Sequence, residues 1–258
     1  MKKLVLVAVL LGALTVGCGG SRAPATSAET SVESTATAST TPTSSIPEAA
    51  KTYFDAMATH SPRMLEVSAP GSPAHAYAQL QLGQQEASRA AGYPYPPGTV
   101  TVEGATVRSC QDGGGCVAFS SFALNSAGQL SDFTINGSPV ASRIVAGGQT
   151  AEAGGMKFRL VGALQLSSAD GMVAVVEATN GSQSMTSDSR GLLVSWYDAA
   201  YIGPDGRQLT ATNYAGPTDL RLGATAPYAL QFEGAKPGGT LHISGWKDNK
   251  PWEIRFKL

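Results

Sequence analysis

The sequence predicts two folds in succession. Residues 45–146 read as an α+β unit of helices followed by a curled antiparallel sheet, and residues 147–258 as an all-β sandwich. Three observations carry this reading. Apolar residues recur at helical spacing from Ala50 to Ala91, the period falls to two from Val100, and beyond Ala146 seven strand-like runs follow one another. Those runs are separated by turn signals about every ten residues with no helical pattern between them, as in a sandwich.

The helices can be placed from their start and stop signals. Ser45-Ile46-Pro47-Glu48 has the capping-box pattern, with Ser45 as N-cap and Pro47 tolerated in the first turn. The spacing of Ala50, Tyr53, Phe54 and Met57 then predicts a helix of about 13 residues that buries that face. Ser61-Pro62 opens a short second helix through Met64, Leu65 and Val67. Ser72-Pro73 opens a third, where Tyr77, Leu80, Gln84, Ala87 and Ala91 share a stripe and Gly92 supplies the stop. Tyr93-Pro94-Tyr95-Pro96-Pro97-Gly98 ends the helical part.

Strand alternation begins at Val100 and Val102 and continues through Ala105 and Val107, with a phase slip at Glu103-Gly104 that predicts a bulge. Val117, Phe119, Phe122 and Leu124 predict a second strand, and Leu130, Phe133 and Ile135 a third after the turn Asn125–Gly128. Asn136-Gly137 turns the chain into a strand from Val140 to Val145. The later runs are MKFRLVGALQL, GMVAVVEATN, GLLVSWYDAAYI, RQLTATNY, YALQFEG, TLHISGW and WEIRFKL. Between them stand the turn sequences Ser168–Gly171, Asn180-Gly181, Gly203–Gly206, Pro237–Gly239 and Lys247–Asn249.

The first 44 residues predict no packed structure. Lys2 and Lys3 precede an apolar run from Leu4 to Leu14, too short for the roughly 20 residues of a transmembrane helix and right for a secretory signal. Leu14-Thr15-Val16-Gly17-Cys18 resembles the bacterial lipobox, although Thr15 stands where Leu, Val or Ile is usual. The resemblance implies cleavage after Gly17, diacylglycerol on the Cys18 sulfur and acylation of the new amino terminus, an anchor in the membrane lipid on the extracytoplasmic face of the cell membrane. Residues 1–17 are then the signal peptide, and 18–44 the lipidated cysteine and a Ser/Thr/Ala tether. That tether has no aromatic residue to offset a backbone ordering cost of about 1–2 kcal/mol per residue.

With lipid on Cys18, the remaining cysteines of the three are Cys110 and Cys116, in RSCQDGGGCVAF. No Lys follows the glycines as a phosphate loop requires, and the strand-like residues after Cys116 exclude a thioredoxin-type redox pair. Two sulfurs and three scattered histidines do not supply the ligands of a zinc site. A hairpin that sets residues 110 and 116 opposite each other fits a disulfide, which an exported compartment permits.

Two family resemblances follow from the order of elements. The helix Ala50–Met57, the Ala69-Pro70-Gly71-Ser72-Pro73 segment and SAGQLSDFTINGSPVASRI at 126–144 resemble the cone-shaped nuclear-transport-factor-2-like fold of bacterial lipoproteins. That family includes ketosteroid isomerases and many members without catalysis. An isomerase would need an Asp base and acidic donors inside the cone, and Tyr53, Asp55 and Asp132 stand in no matching motif, so no catalytic residue is carried over. The segments Val173–Gly181, Tyr197-Asp198, Gly203–Arg207 and Gly223–Phe232 resemble an immunoglobulin-like domain of bacterial surface proteins.

The other chemistry-bearing residues have ordinary explanations. His60 ends a helix, where an imidazolium suits the dipole, His75 lies in a first turn, and His242 is on a strand. Trp196, Trp246 and Trp252 read as sandwich core, and Asp170-Gly171 and Asp205-Gly206 as turns. Asn136-Gly137-Ser138 and Asn180-Gly181-Ser182 match the glycosylation sequon and also explain themselves as turns. Charged residues make up 14% of the chain. Of 18 basic residues, removal of Lys2 and Lys3 leaves 16 against 19 acidic, a formal charge of −3, with no basic patch for nucleic acid. The resulting expectation is a non-enzymatic, membrane-anchored lipoprotein, without cofactor or metal, whose modules bind an envelope protein or polymer. The rival expectation is an apolar-ligand carrier or isomerase-like enzyme that uses the cone cavity.

Overall fold

The computed structural model describes residues 45–110, 115–166, 171–181, 199–217, 220–247 and 250–258. The leader, Cys18, the tether, Asp170, Ser182 and Trp196–Asp198 lie outside these residues, as do 111–114 between the paired cysteines. Three helices open the described chain: α1 (Glu48–Ala58), α2 (Arg63–Val67) and α3 (Pro73–Ala90). Helix α1 begins at Glu48 with Pro47 as its N-cap and no capping side chain, so Ser45 does not play the predicted role. Ser72 does cap α3, its Oγ accepting the His75 N–H at 3.2 Å. Gly92, at φ +83°, ends α3 where the Tyr93 N–H returns to the Ser88 carbonyl.

A five-stranded antiparallel sheet follows in the order β1 (Thr99–Glu103), β2 (Thr106–Cys110), β3 (Cys116–Leu124), β4 (Leu130–Ile135) and β5 (Ser138–Pro139). The predicted bulge at Glu103-Gly104 is instead a two-residue hairpin turn, with Glu103 paired to Thr106 and Gly104 at φ +61°. The register shift lies in β3 after Ser120, where Ser121 takes φ +54°. Phe122 thereby turns back onto the Phe54 ring.

The chain then does not make the expected strand from Val140 to Val145. Val140–Ser142 is a 3₁₀ turn, and β6 (Ile144–Ala146) hydrogen-bonds to a strand of another sheet, β8. The remaining strands are β7 (Thr150–Ala153), β8 (Met156–Gln165), β9 (Gly171–Asn180), β10 (Ala200–Ile202), β11 (Gln208–Thr210), β12 (Asn213–Ala215), β13 (Thr225–Glu233), β14 (Thr240–Lys247) and β15 (Lys250–Lys257). They form a six-stranded sheet ordered β12-β13-β9-β8-β6, with β7 also on β8, and a four-stranded sheet ordered β11-β10-β14-β15. Every pairing within the three sheets is antiparallel.

The six- and four-stranded sheets face one another across one core. Phe158, Leu160, Val176, Leu230 and Phe232 on one side meet Tyr201, Leu241, Ile243, Ile254 and Phe256 on the other. Trp252 lies in this core, as its sequence context predicts, against Phe158 and between Gly154 and Gly245, where a Cβ would come within 3 Å of the indole. At the free edge of β15 the Gln149 side chain substitutes for a strand, donating to the Lys257 carbonyl (2.7 Å) and accepting its N–H (2.9 Å).

The predicted cone and immunoglobulin-like sandwich are not what the chain adopts; the molecule is mostly β, with three antiparallel sheets and few helices. The physical reason is the placement of α3. It packs against β4 on one side and against β8, β9 and β13 of the six-stranded sheet on the other. Val161, Leu164 and Val175 accordingly join the core of Tyr53, Phe54, Tyr77, Phe119 and Phe133. What would be the cone interior is occupied by those rings, with Tyr77 and Phe133 edge to face at 5.4 Å. What would be an open sandwich face is covered by helix.

The seam is tight at Gly83, where a Cβ would lie 2.8 Å from Cγ1 of the fully buried Val175. Gly83→Leu gains about 1 kcal/mol in helix propensity but forces overpacking that costs about 1–3 kcal/mol. A net loss of up to about 2 kcal/mol in urea unfolding is expected, with Gly83→Ala closer to wild type.

Candidate functional site

The sequence candidates do not converge on one site. Cys110 and Cys116 are directly opposed in the β2–β3 register, Cα atoms 4.2 Å apart, and form a disulfide. That clip closes the hairpin and leaves neither sulfur available to a ligand.

The carboxyl and phenol candidates of the first unit also separate. Asp55 faces outward and pairs with Lys51 at 3.2 Å, and Asp132 accepts the Phe133 N–H at 2.8 Å. Tyr53 is wholly buried and donates to the Ala74 carbonyl at 2.8 Å. Burial holds the phenols of Tyr53 and Tyr77 protonated well above their usual range, with Tyr77 adding to the rise at Tyr53 and Arg143 opposing that at Tyr77. Both are neutral phenols at pH 7.

The three histidines stand apart as well. His75 meets Ser68, which sequence reasoning did not single out, with Nδ1 3.0 Å from Oγ. The Ser68 hydroxyl donates to the Met64 carbonyl at 2.8 Å and is fully buried. Its one proton is therefore committed, so the imidazole donates to it. This is the reverse of a nucleophile–base pair, where the hydroxyl donates to the imidazole. His242 lies 3.1 Å from Glu253, which Arg255 also contacts at 3.2 Å, on the outer face of β14 and β15. Among the described residues no three His, Cys, Asp or Glu side chains group closely enough to hold a metal ion.

A different set of side chains does converge. After β11 the chain crosses from the four-stranded to the six-stranded sheet at Ala211-Thr212, where the Thr212 N–H and hydroxyl both reach the Gln231 carbonyl. The crossing sets β12 in register with β13 and β9. Asn213, Gln231 and Val173 then form one row across the three strands, and Ala215, Ala229 and Val175 the next row on the same face. Helix α3 covers Val175 of the second row through Gly83 and leaves the first row open beside Ala215 and Ala229. Gln84, the next helical residue, and Tyr95 close the gap from the helix side.

The result is a cleft of about 40 Å³, which Tyr214 borders although its ring packs against the core between the sheets. Its floor is Val173, Ala215 and Ala229, and its walls are amides and phenol. The side chains of Gln84, Asn213 and Gln231 have no hydrogen-bond partner among the described residues. No lining residue carries a charge at neutral pH. Tyr95 sits between Pro94 and Pro96, which fix the neighbouring φ angles and hold Tyr95 itself to extended backbone. The volume has room for a few waters and is far below the roughly 300–1,000 Å³ of a site that engulfs a small molecule. Among the described residues its lining contains no carboxylate, imidazole, thiol or amine.

Set against protein families, curated proteins and solved structures, the chain matches none.

His60 has a structural role instead. It takes φ +56° at the end of α1, where the Ser61 N–H returns to the Ala56 carbonyl. Contrary to the expected helix-end imidazolium, burial and then the Arg89 cation lower its pKa from 6.5. The neutral form is the one the fold favours, so its contribution is present above 6.5 and lost as pH falls through the folded value. His60→Gly removes both that loss and a left-handed strain of about 1 kcal/mol. The variant should exceed wild type by about 1 kcal/mol at about pH 8, and by more at about pH 5, in urea unfolding at the two pH values.

Proposed function

We propose that the protein is a membrane-anchored, extracytoplasmic binding lipoprotein without catalysis of its own, which grips a neutral polar envelope polymer at the α3–β12–β13 cleft. The observation that carries this reading is the convergence of three unpartnered amides and a phenol on one uncharged cleft. Supporting it are the lipobox-like Leu14–Cys18 sequence, the low-hydrophobicity tether that follows, and a disulfide of the kind that persists outside the cytoplasm. Attachment in this reading rests on acyl chains at Cys18; among the described residues no helix is long and apolar enough to cross a membrane.

Metabolic labelling with a clickable fatty acid should mark the wild-type protein and not Cys18→Ala; equal labelling removes the anchor. For binding, detergent-solubilised full-length protein should co-sediment with insoluble envelope polymer from the source bacterium. The double variant Gln84→Leu/Gln231→Leu, with an unchanged unfolding midpoint, should stay in the supernatant. Wild-type protein in the supernatant would reject the binding role.

A further inference from the structure

The chemistry of the cleft narrows its ligand. A carboxylate, phosphate or ammonium group placed there would lose water without meeting an opposite charge, which disfavours every ionised ligand. A purely apolar ligand would cover Gln84, Asn213 and Gln231 and leave their amides unpaired. An extended peptide would need a backbone edge beside the cleft, and β12 offers three residues. What fits is a ligand with an apolar face and a rim of groups that both donate and accept hydrogen bonds. Amide side chains also do both, and here they stand on adjacent strands around an apolar floor.

We infer that the cleft binds a neutral saccharide. The C–H face of one sugar ring rests on Val173, Ala215 and Ala229, its hydroxyls bond to Gln84, Asn213 and Gln231, and the Tyr95 ring forms a side wall. This rests on the reading of the cleft as the binding site. Because the cleft is too shallow to enclose a ring, a single sugar is held on one side and binds weakly. Many anchored copies on one polysaccharide bind far more firmly, since each further contact is intramolecular.

The test uses the detergent-solubilised full-length protein on a glycan array with neutral oligosaccharides, uronic-acid or phosphorylated glycans, and unmodified peptides. Monosaccharides and the matching polysaccharide in solution serve as competitors. Retention is expected on neutral oligosaccharides, with the polymer competing at far lower sugar concentration than the monosaccharide. Monosaccharide competing as well as polymer would overturn the polymer source and leave a free sugar as ligand. Asn213→Leu and Gln231→Leu should each reduce retention by about threefold to tenfold. Tyr95→Phe, which keeps the ring, should retain binding where Tyr95→Ala loses it; Tyr95 lies on the loop after α3, outside the buried core, so neither change threatens folding. Retention only on charged glycans or peptides, or on nothing printed, would overturn the inference. If the envelope polymer still sediments the protein and neutral oligosaccharides do not compete, the saccharide assignment fails and the binding function stands. If the polymer does not sediment it either, both fall together.

Discussion

The seating of α3 on the six-stranded sheet is the constraint on which the rest of the structure depends. A sheet that faces a partner sheet on one side and a helix on the other must be apolar on both faces, and β9 is. Met172, Ala174 and Val176 enter the core between the sheets, while Val175 enters the core with α3 and Val173, on the same face, lines the cleft. Burying a side chain such as Leu80 or Val175 is worth about 1.5–3 kcal/mol, so the helix cannot leave the sheet without exposing several such groups at once. Close approach is secured by Gly83 on the helix and by Gly147 on the link between β6 and β7. A Cβ on Gly147 would lie 2.0 Å from the Val161 carbonyl oxygen. Gly147 thus lets the chain cross tightly over β8 at Val161, where the ladder shifts register and residues 161 and 164 turn toward the helix.

The sequence made the local elements legible and hid how they are assembled. Ser72 as a cap, Gly92 as a stop, the Asn125 and Asn136 turns and the opposed cysteines are each fixed by neighbours a few residues away, and local chemistry suffices to read them. The bulge was misplaced for a related reason: Gly104 permits either a bulge or a hairpin turn, and the pairing of Glu103 with Thr106 decides it. The error about the fold is non-local. MVAVV at 172–176 carries no alternation, which signals a strand buried on both faces, whereas a two-sheet sandwich buries one. The run LVGAL at 160–164 gives the same signal. Those two runs required a third layer, and α3 is the element long enough to supply it.

The candidate site was less legible, because its residues look unremarkable one at a time. Gln84 was read as part of the helical stripe, Tyr95 as part of a chain break, and Asn213 as part of a single strand RQLTATNY. In the structure that run divides at Ala211-Thr212 between two sheets, and the division creates the row that Asn213 begins. Gln231 alternates with Leu230 and Phe232, a pattern that ordinarily places it on a solvent face. Only the arrival of α3 on that face turns an exposed amide into a cleft wall. Conversely, the residues that did attract notice are satisfied by the fold: tyrosines by burial and a backbone carbonyl, Asp55 by Lys51, His242 by Glu253.

This distribution of polar groups bears on what kind of function the fold can support. Reactive groups need a partner that shifts or directs them, and among the described residues the Tyr53 and Ser68 hydroxyls are instead bonded to backbone carbonyls. The Ser68 hydroxyl donates its hydrogen bond to the Met64 carbonyl rather than to His75 beside it. The amides of the cleft are the opposite case, with hydrogen-bonding capacity that the described residues leave unused. A group left half-buried and unpaired costs stability unless water or a ligand completes it, and the cleft has room for water. A ligand that replaces that water with hydroxyls keeps every hydrogen bond and adds contact with the apolar floor. Recognition of this kind uses surface that folding has already ordered, because the helix that holds Gln84 and the strands that hold Asn213 and Gln231 are fixed by the core beneath them.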